Sequence, residues 1–282
     1  MVFVDILEEL VRAYPEREAF RYRDAESGEV RSVRFDRFLE DVSRAAAYWS
    51  EKQKSLSPEE PFRVGIAADN SYPYFVEYLG VIAAGGVFVP LNQSFGAARV
   101  LEFAAEIGIP YMMAGEAQLA DSEYAAELNA AYPTGRLLPL DRVFAESSKC
   151  EALENLYRGE EDDTILMLLS SGTSGRSKIV ELTNGNLCAY PAEVFNGLHA
   201  ERERGTLQHY ENLIILPFFH IGSEMCIRDR RSDSDYGRTC ARQLSLYQQC
   251  ATVSAGSQRA AVRKAHCRTC DDEADSGARR EK

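Results

Sequence analysis

The chain has 282 residues, with 32 Lys plus Arg against 44 Asp plus Glu and 45% hydrophobic residues, the proportions of a globular protein. Its formal charge of -12 disfavours nucleic-acid backbones and anionic lipid surfaces as main partners, and no apolar run reaches bilayer-spanning length. The start, Met1 to Glu9, is acidic where a secretory signal would be basic, so a cytoplasmic protein of one large or two small domains is expected.

Val4, Leu7, Leu10 and Val11 fall on one helical face, and Pro15 closes that helix. Residues 19 to 23 and 30 to 35 read as strands joined across Glu26-Ser27-Gly28-Glu29. A helix then runs from Asp36, placed to cap it, through Trp49. Arg63 to Ala67 reads as a short buried strand. Asp69-Asn70-Ser71 caps the next helix, which passes through Tyr78 to Ala84 and stops at Gly85-Gly86. Strand Val87 to Leu91, helix Ala97 to Ile107, strand Tyr111 to Ala114, helix Gln118 to Ala131 and strand Leu137 to Leu140 follow. The acidic linker Arg158 to Asp163 ends the run. This alternation of helix and strand is the mark of an α/β protein.

Thr164 to Leu169 is an unbroken apolar run, suited to a strand buried on both faces, and it opens directly into Ser170-Ser171-Gly172-Thr173-Ser174-Gly175-Arg176-Ser177-Lys178. The glycines allow positive φ and let amides face an anion. The hydroxyls add donors, and Lys178 adds a charge able to reach a polyphosphate. The spacing differs from the common P-loop, G-x-x-x-x-G-K-[ST]. A solvent-exposed Ser/Gly turn shares this composition, but it needs neither the buried strand before it nor the lysine after it.

The string from Leu168 to Leu187, LLSSGTSGRSKIVELTNGNL, resembles the phosphate-loop motif of the adenylate-forming superfamily, which includes acyl-CoA synthetases, peptide-synthetase adenylation domains and luciferases. Ser170, Ser171, Gly172, Thr173, Ser174, Gly175 and Lys178 take the matching positions, and Leu182-Thr183 and Asn186-Leu187 continue the motif. Ser177, Ile179 and Asn184 stand where Pro, Gly and His are usual. Val33 to Phe38, Val64-Gly65-Ile66 and Tyr78 to Asn92 resemble further family segments in the same order. Leu216-Pro217-Phe218-Phe219-His220-Ile221-Gly222 resembles its L-P-x-x-H motif. Each of these stretches taken alone is also an ordinary core piece.

The resemblance implies the N-terminal part of the large adenylate-forming domain, with mixed sheets layered with helices. It implies ATP, Mg2+ and coenzyme A as reactants and a carboxylic acid, a fatty acid in the first place, as substrate. In such enzymes the carboxylate attacks the α-phosphate of ATP and a thiol then attacks the acyl-adenylate. The loop residues from Ser170 to Lys178 would hold the β- and γ-phosphates, and His220 would contact the acyl or adenylate group. No metal ligand is assigned. A peptide-synthetase-type adenylation domain fragment and a non-catalytic nucleotide-binding module are the alternative readings.

Residues 225 to 282 differ in chemistry. They carry net +4, which leaves -16 on residues 1 to 224, and they hold five of the seven cysteines with only five Ile, Leu, Val or Phe in 58 residues. Such a segment cannot bury a core alone. Ser223 to Arg230, SEMCIRDR, resembles translated adapter sequence at the broken ends of predicted genes, and the family's later motifs are not found after Gly222. The expected organisation is therefore a partial adenylation domain over residues 1–222 and a low-order or spurious tail over 223–282, with the chain alone a poor catalyst. Cys267-Arg268-Thr269-Cys270 beside His266 is a weak zinc pattern without a second pair, and the Arg-rich tail, whose acids nearly offset its bases, has few aromatics for a nucleic-acid arm.

Overall fold

The computed structural model describes residues 2–24, 27–170 and 178–188. The chain opens with helix α1 (Phe3–Ala13), which buries Val4, Ile6 and Leu7. A two-stranded antiparallel hairpin follows, β1 (Glu18–Arg23) and β2 (Val30–Arg34). Phe20 on β1 lies 4.9 Å from Phe38 and 4.8 Å from Phe75, centroid to centroid, and Tyr22 stacks on Tyr72 at 5.0 Å. These aromatic contacts hold the hairpin on helix α2 (Phe35–Lys54) and helix α3 (Tyr72–Ala83).

Ser71 caps α3 by accepting the Tyr74 N–H at 3.2 Å, as the Asp-Asn-Ser run leads one to expect, and Gly85 at φ 85° turns the chain out of the helix. Asp36 is not the cap of α2. The cap position is Arg34, whose guanidinium binds the Asp36 carboxylate, and Asp36 lies inside the first turn, accepting the Arg37 N–H at 2.7 Å.

The main sheet has six strands in the order β6-β5-β3-β4-β7-β8. These are β3 (Arg63–Ala67), β4 (Val87–Pro90), β5 (Tyr111–Ala114), β6 (Leu137–Pro139), β7 (Thr164–Ser170) and β8 (Lys178–Thr183). The first five in chain order run parallel, and β8 pairs antiparallel with β7. The α/β expectation is borne out.

Three local features depart from the sequence reading. The helix expected over Gln118 to Ala131 is two, α5 (Glu116–Leu119) and α6 (Ser122–Ala131), because Asp121 breaks the run and caps α6 by accepting the Glu123 and Tyr124 N–H groups. Leu140 leaves β6 to begin α7 (Leu140–Ser147), an element the pattern did not suggest. Strand β8, which opens at Lys178, is an element the sequence reading does not assign.

Helix α4 (Ala97–Ile107), which ends at Gly108 with φ 71°, packs with α6 on one face of the sheet, while α1, α2, α3 and α7 pack on the other. Alternate strand residues feed the two cores. Tyr111, Met113, Leu166 and Leu168 face the first, and Met112, Ala114 and Met167 face the second. Both faces of β7 are therefore buried, which is why its sequence is continuously apolar. Among the described residues no helix is long and apolar enough to cross a membrane.

Candidate functional site

The site expected from the sequence is built on the β7–β8 hairpin. Ser170 closes β7 and Lys178 opens β8, and the two stand opposite each other in the antiparallel ladder. Because β7 runs parallel to β3, β4, β5 and β6, this rung lies at the edge of the sheet where all five strands present their carboxyl ends. In open α/β sheets that edge is where ligands bind. The same edge carries a polar rim, in which Gln93, beyond β4, donates its side-chain N–H to Asp69, beyond β3, at 3.2 Å.

Lys178 is exposed. Ser171, Gly172, Thr173, Ser174 and Gly175 lie outside the described residues, as does His220. So do the 222/223 boundary and the cysteine-rich tail. Among the described residues no group of three His, Cys, Asp or Glu side chains could hold a metal ion.

The opposite end of the hairpin shows what the rest of the motif does locally. Thr183 caps the helical turn over residues 184–188. Its Oγ1 accepts the Asn186 N–H at 3.2 Å, while Asn186 Oδ1 accepts the Thr183 N–H at 3.1 Å. This reciprocal pair is a capping box with Asn in place of the usual Glu or Gln. The L-T-x-x-N run that continues the phosphate motif thus ends a strand and starts a helix. Leu182 and Leu187 pack against the first core, and Ile179, which replaces the family's usual Gly, packs against the second.

Asn184 is 2% exposed. Its Nδ2 donates to the carbonyls of Arg158 at 3.0 Å and Glu160 at 3.3 Å, and its backbone N–H donates to Asp163 O at 2.9 Å. The acidic linker is thereby pinned at the root of β7. Asp163 Oδ2 accepts the Glu160 N–H at 2.7 Å and the Tyr157 hydroxyl at 3.3 Å, tightening the same turn. Arg158 reaches back to α1, pairing with Asp5 and with Glu8 at 2.8 Å. Nearby, Cys188 is buried, and that burial pushes its thiol up to about 11, so it is held as a neutral thiol. In the sequence Thr183, Asn184 and Asn186 are legible as motif positions, but their hydrogen-bonding roles are not. The T-x-x-N spacing was the available signal for the cap.

Comparison with known proteins places this arrangement. A family model described as AMP-binding enzyme matches residues 7–227. Feruloyl-CoA synthase of an Amycolatopsis species is 27% identical over 180 residues, 64% of this chain and 34% of that enzyme. The D-alanine–D-alanyl carrier protein ligase of Bacillus cytotoxicus is 23% identical over 194 residues, 67% of this chain and 34% of that ligase. The chain thus spans about a third of the length of these two relatives. Among solved structures, O-succinylbenzoate coenzyme A synthetase from Bacillus subtilis in complex with AMP shares the fold at a TM-score of 0.58 and 20% identity, over 84% of this chain and 58% of that one. With a family match running from α1 to beyond β8, the chain belongs to the AMP-binding enzyme family.

Proposed function

We propose that the Ser170–Lys178 connection holds the β- and γ-phosphates of ATP while a carboxylate attacks the α-phosphate, and that the whole enzyme then passes the acyl group to a thiol. The observation that carries this reading is the rung that sets Ser170 opposite Lys178 at the carboxyl edge of the parallel strands. Two anions must meet in such a reaction. The chain's contribution would be amide and hydroxyl donors from Ser170, Ser171, Gly172, Thr173, Ser174 and Gly175, and the ammonium of Lys178, placed before charge shifts toward pyrophosphate. Mg2+ would enter as the counter-ion of ATP. His220 would flank the acyl or adenylate group.

Coenzyme A is the acceptor we put first. A carrier-protein thiol is the second reading, supported by the likeness to the D-alanyl carrier protein ligase. The relatives are named for an aromatic acid and an amino acid, so the support extends to a carboxylic acid and not to a fatty acid in particular. Residues 1–222 are proposed as the adenylation part and 223–282 as a segment outside it.

Titration calorimetry of the 282-residue chain with ATP tests the reading. Lys178→Ala should weaken binding roughly tenfold or more, the loss expected on removing a charge-assisted phosphate contact. Equal affinity in the two proteins would overturn it. Acid-dependent ATP–pyrophosphate exchange by the same chain would show catalysis where only binding is expected.

A further inference from the structure

We propose that Asn184 is a positioning residue for the phosphate cradle, acting through the register of the β7–β8 hairpin from its far end. This rests on the reading of Ser170 to Lys178 as the ATP contact.

Register is fixed by burial where a one-residue slip would carry an apolar set to solvent and a polar set into a core, since the slip exchanges the two faces. β7 has no such contrast: Leu166 and Leu168 enter one core and Met167 the other. Along β8, Ile179 and Leu182 likewise pack on opposite sides. The ladder itself is irregular between Thr164 and Leu166. Apolar burial therefore does little to choose among neighbouring registers.

The polar clamp at the root does choose. Thr164 and Thr183 form the first rung. Immediately outside it, the Asn184 and Gly185 N–H groups donate to Asp163 O at 2.9 Å and Glu161 O at 2.8 Å, while Asn184 Nδ2 reaches Arg158 O and Glu160 O. A slip by one residue would leave these carbonyls and a buried amide unpaired, at a cost far above the difference between apolar contacts. The turn that presents the carbonyls is built for a close approach. Gly159 has φ 66°, and a Cβ there would lie 2.5 Å from Asp163 Oδ2 and 3.4 Å from Asn184 Nδ2. At about 3.3 Å per residue, the clamp sets the Ser170–Lys178 rung from roughly 20 Å away.

The test compares ATP affinity and thermal midpoint in the full chain. Asn184→Ala and Asn184→Asp both lose the two side-chain donations, and each should weaken ATP binding about tenfold, the scale of one or two lost hydrogen bonds. Asn184→His keeps a ring N–H and should recover most of the affinity. Leu128→Ala, in the second core, should lower the midpoint at least as much without changing affinity, separating position from stability. Should Asn184→Ala fail to fold, Asn184→Ser, with one donor left, should show a partial loss. Unchanged affinity in the Asn184 variants, with Lys178→Ala still defective, overturns the positioning role alone. An equal loss in Leu128→Ala also overturns it. A wild-type chain that binds no ATP overturns the cradle and this role together.

Discussion

On one face of the six-stranded sheet Trp49, Tyr74, Phe88 and Tyr111 pack around helices that carry two buried carboxyl groups, Asp41 and Glu77; on the other, Leu91, Phe103, Met112 and Leu128 meet with no buried carboxyl group among the described residues. Tyr72 donates its hydroxyl to Asp41 at 2.7 Å, and Glu77 lies 2.7 Å from both Trp49 Nε1 and Ser147 Oγ. Polar partners tolerate little displacement, whereas apolar side chains can exchange neighbours at modest cost. The first face therefore fixes where α2, α3 and α7 sit, and the second fills space beneath α4 and α6.

The largest expected effect comes from forcing the first face apart. Gly80 on α3 meets Ala45 on α2 so closely that a Cβ at Gly80 would lie 2.4 Å from Ala45 Cβ and 3.1 Å from its backbone carbon. Gly80→Ala should destabilise by about 3 kcal/mol despite the better helix propensity of alanine, because two helices must separate and strain both polar links. Denaturant unfolding reads the loss. Adding Ala45→Gly should return most of it, and a double variant as unstable as the single one would show that this contact does not set the spacing.

A smaller but more specific effect should follow from Glu77, which is fully buried and whose carboxyl is pushed up to about 7 by that burial against the two hydrogen bonds that lower it. The hydroxyl of Ser147 has one proton and faces two acceptors, Glu77 Oε1 at 2.7 Å and Phe144 O at 3.2 Å. A proton on Glu77 completes the set: Glu77 donates to Ser147, Ser147 to Phe144, and Trp49 to Glu77. Between about pH 4.5 and 7 the unfolded chain releases a proton that the folded chain keeps, so stability should fall as pH rises through that window, by on the order of 3 kcal/mol. Glu77→Gln keeps one donor and one acceptor and should abolish this slope while remaining folded. Carboxylates held low by arginines, such as Glu40 and Glu146, act below that window, where stability falls as pH drops. A wild-type stability flat from pH 4.5 to 7 would count against the protonated network.

Much of the fold was legible because each core-facing element carries its own period. Helix Ala97–Ile107 and strand Tyr111–Ala114 coincide with their expected bounds, since a glycine or proline punctuates them. Helix α7 carries no clear period, because only Leu140 and Val143 of its eight residues are buried apolar groups, and Ser147, its third buried residue, is fixed by Glu77, seventy positions away. Of the site, residue types and order were readable, and so was the strand leading into the loop. The pairing of Ser170 with Lys178 and the burial of Asn184 were not, because both depend on the linker folding back across the root of the hairpin.

The smallest effect should come from carboxylates outside both cores. Arg158 binds Asp5 and Glu8 where all three side chains are partly exposed, the arginine at 49%. A backbone N–H from Val2, and then the guanidinium, hold the Asp5 carboxyl below its ordinary range. Geometry is favourable, but water screens each charge and three side chains lose freedom to keep the contact. Arg158→Ala should therefore cost less than about 1 kcal/mol. That loss should shrink further in 1 M salt, where the screening length falls to roughly 3 Å. A salt-independent loss of several times that size would mean that the link between α1 and the linker behaves like the buried carboxyl network of the first face, and the division between fixed interior and adjustable surface would have to be redrawn to include α1.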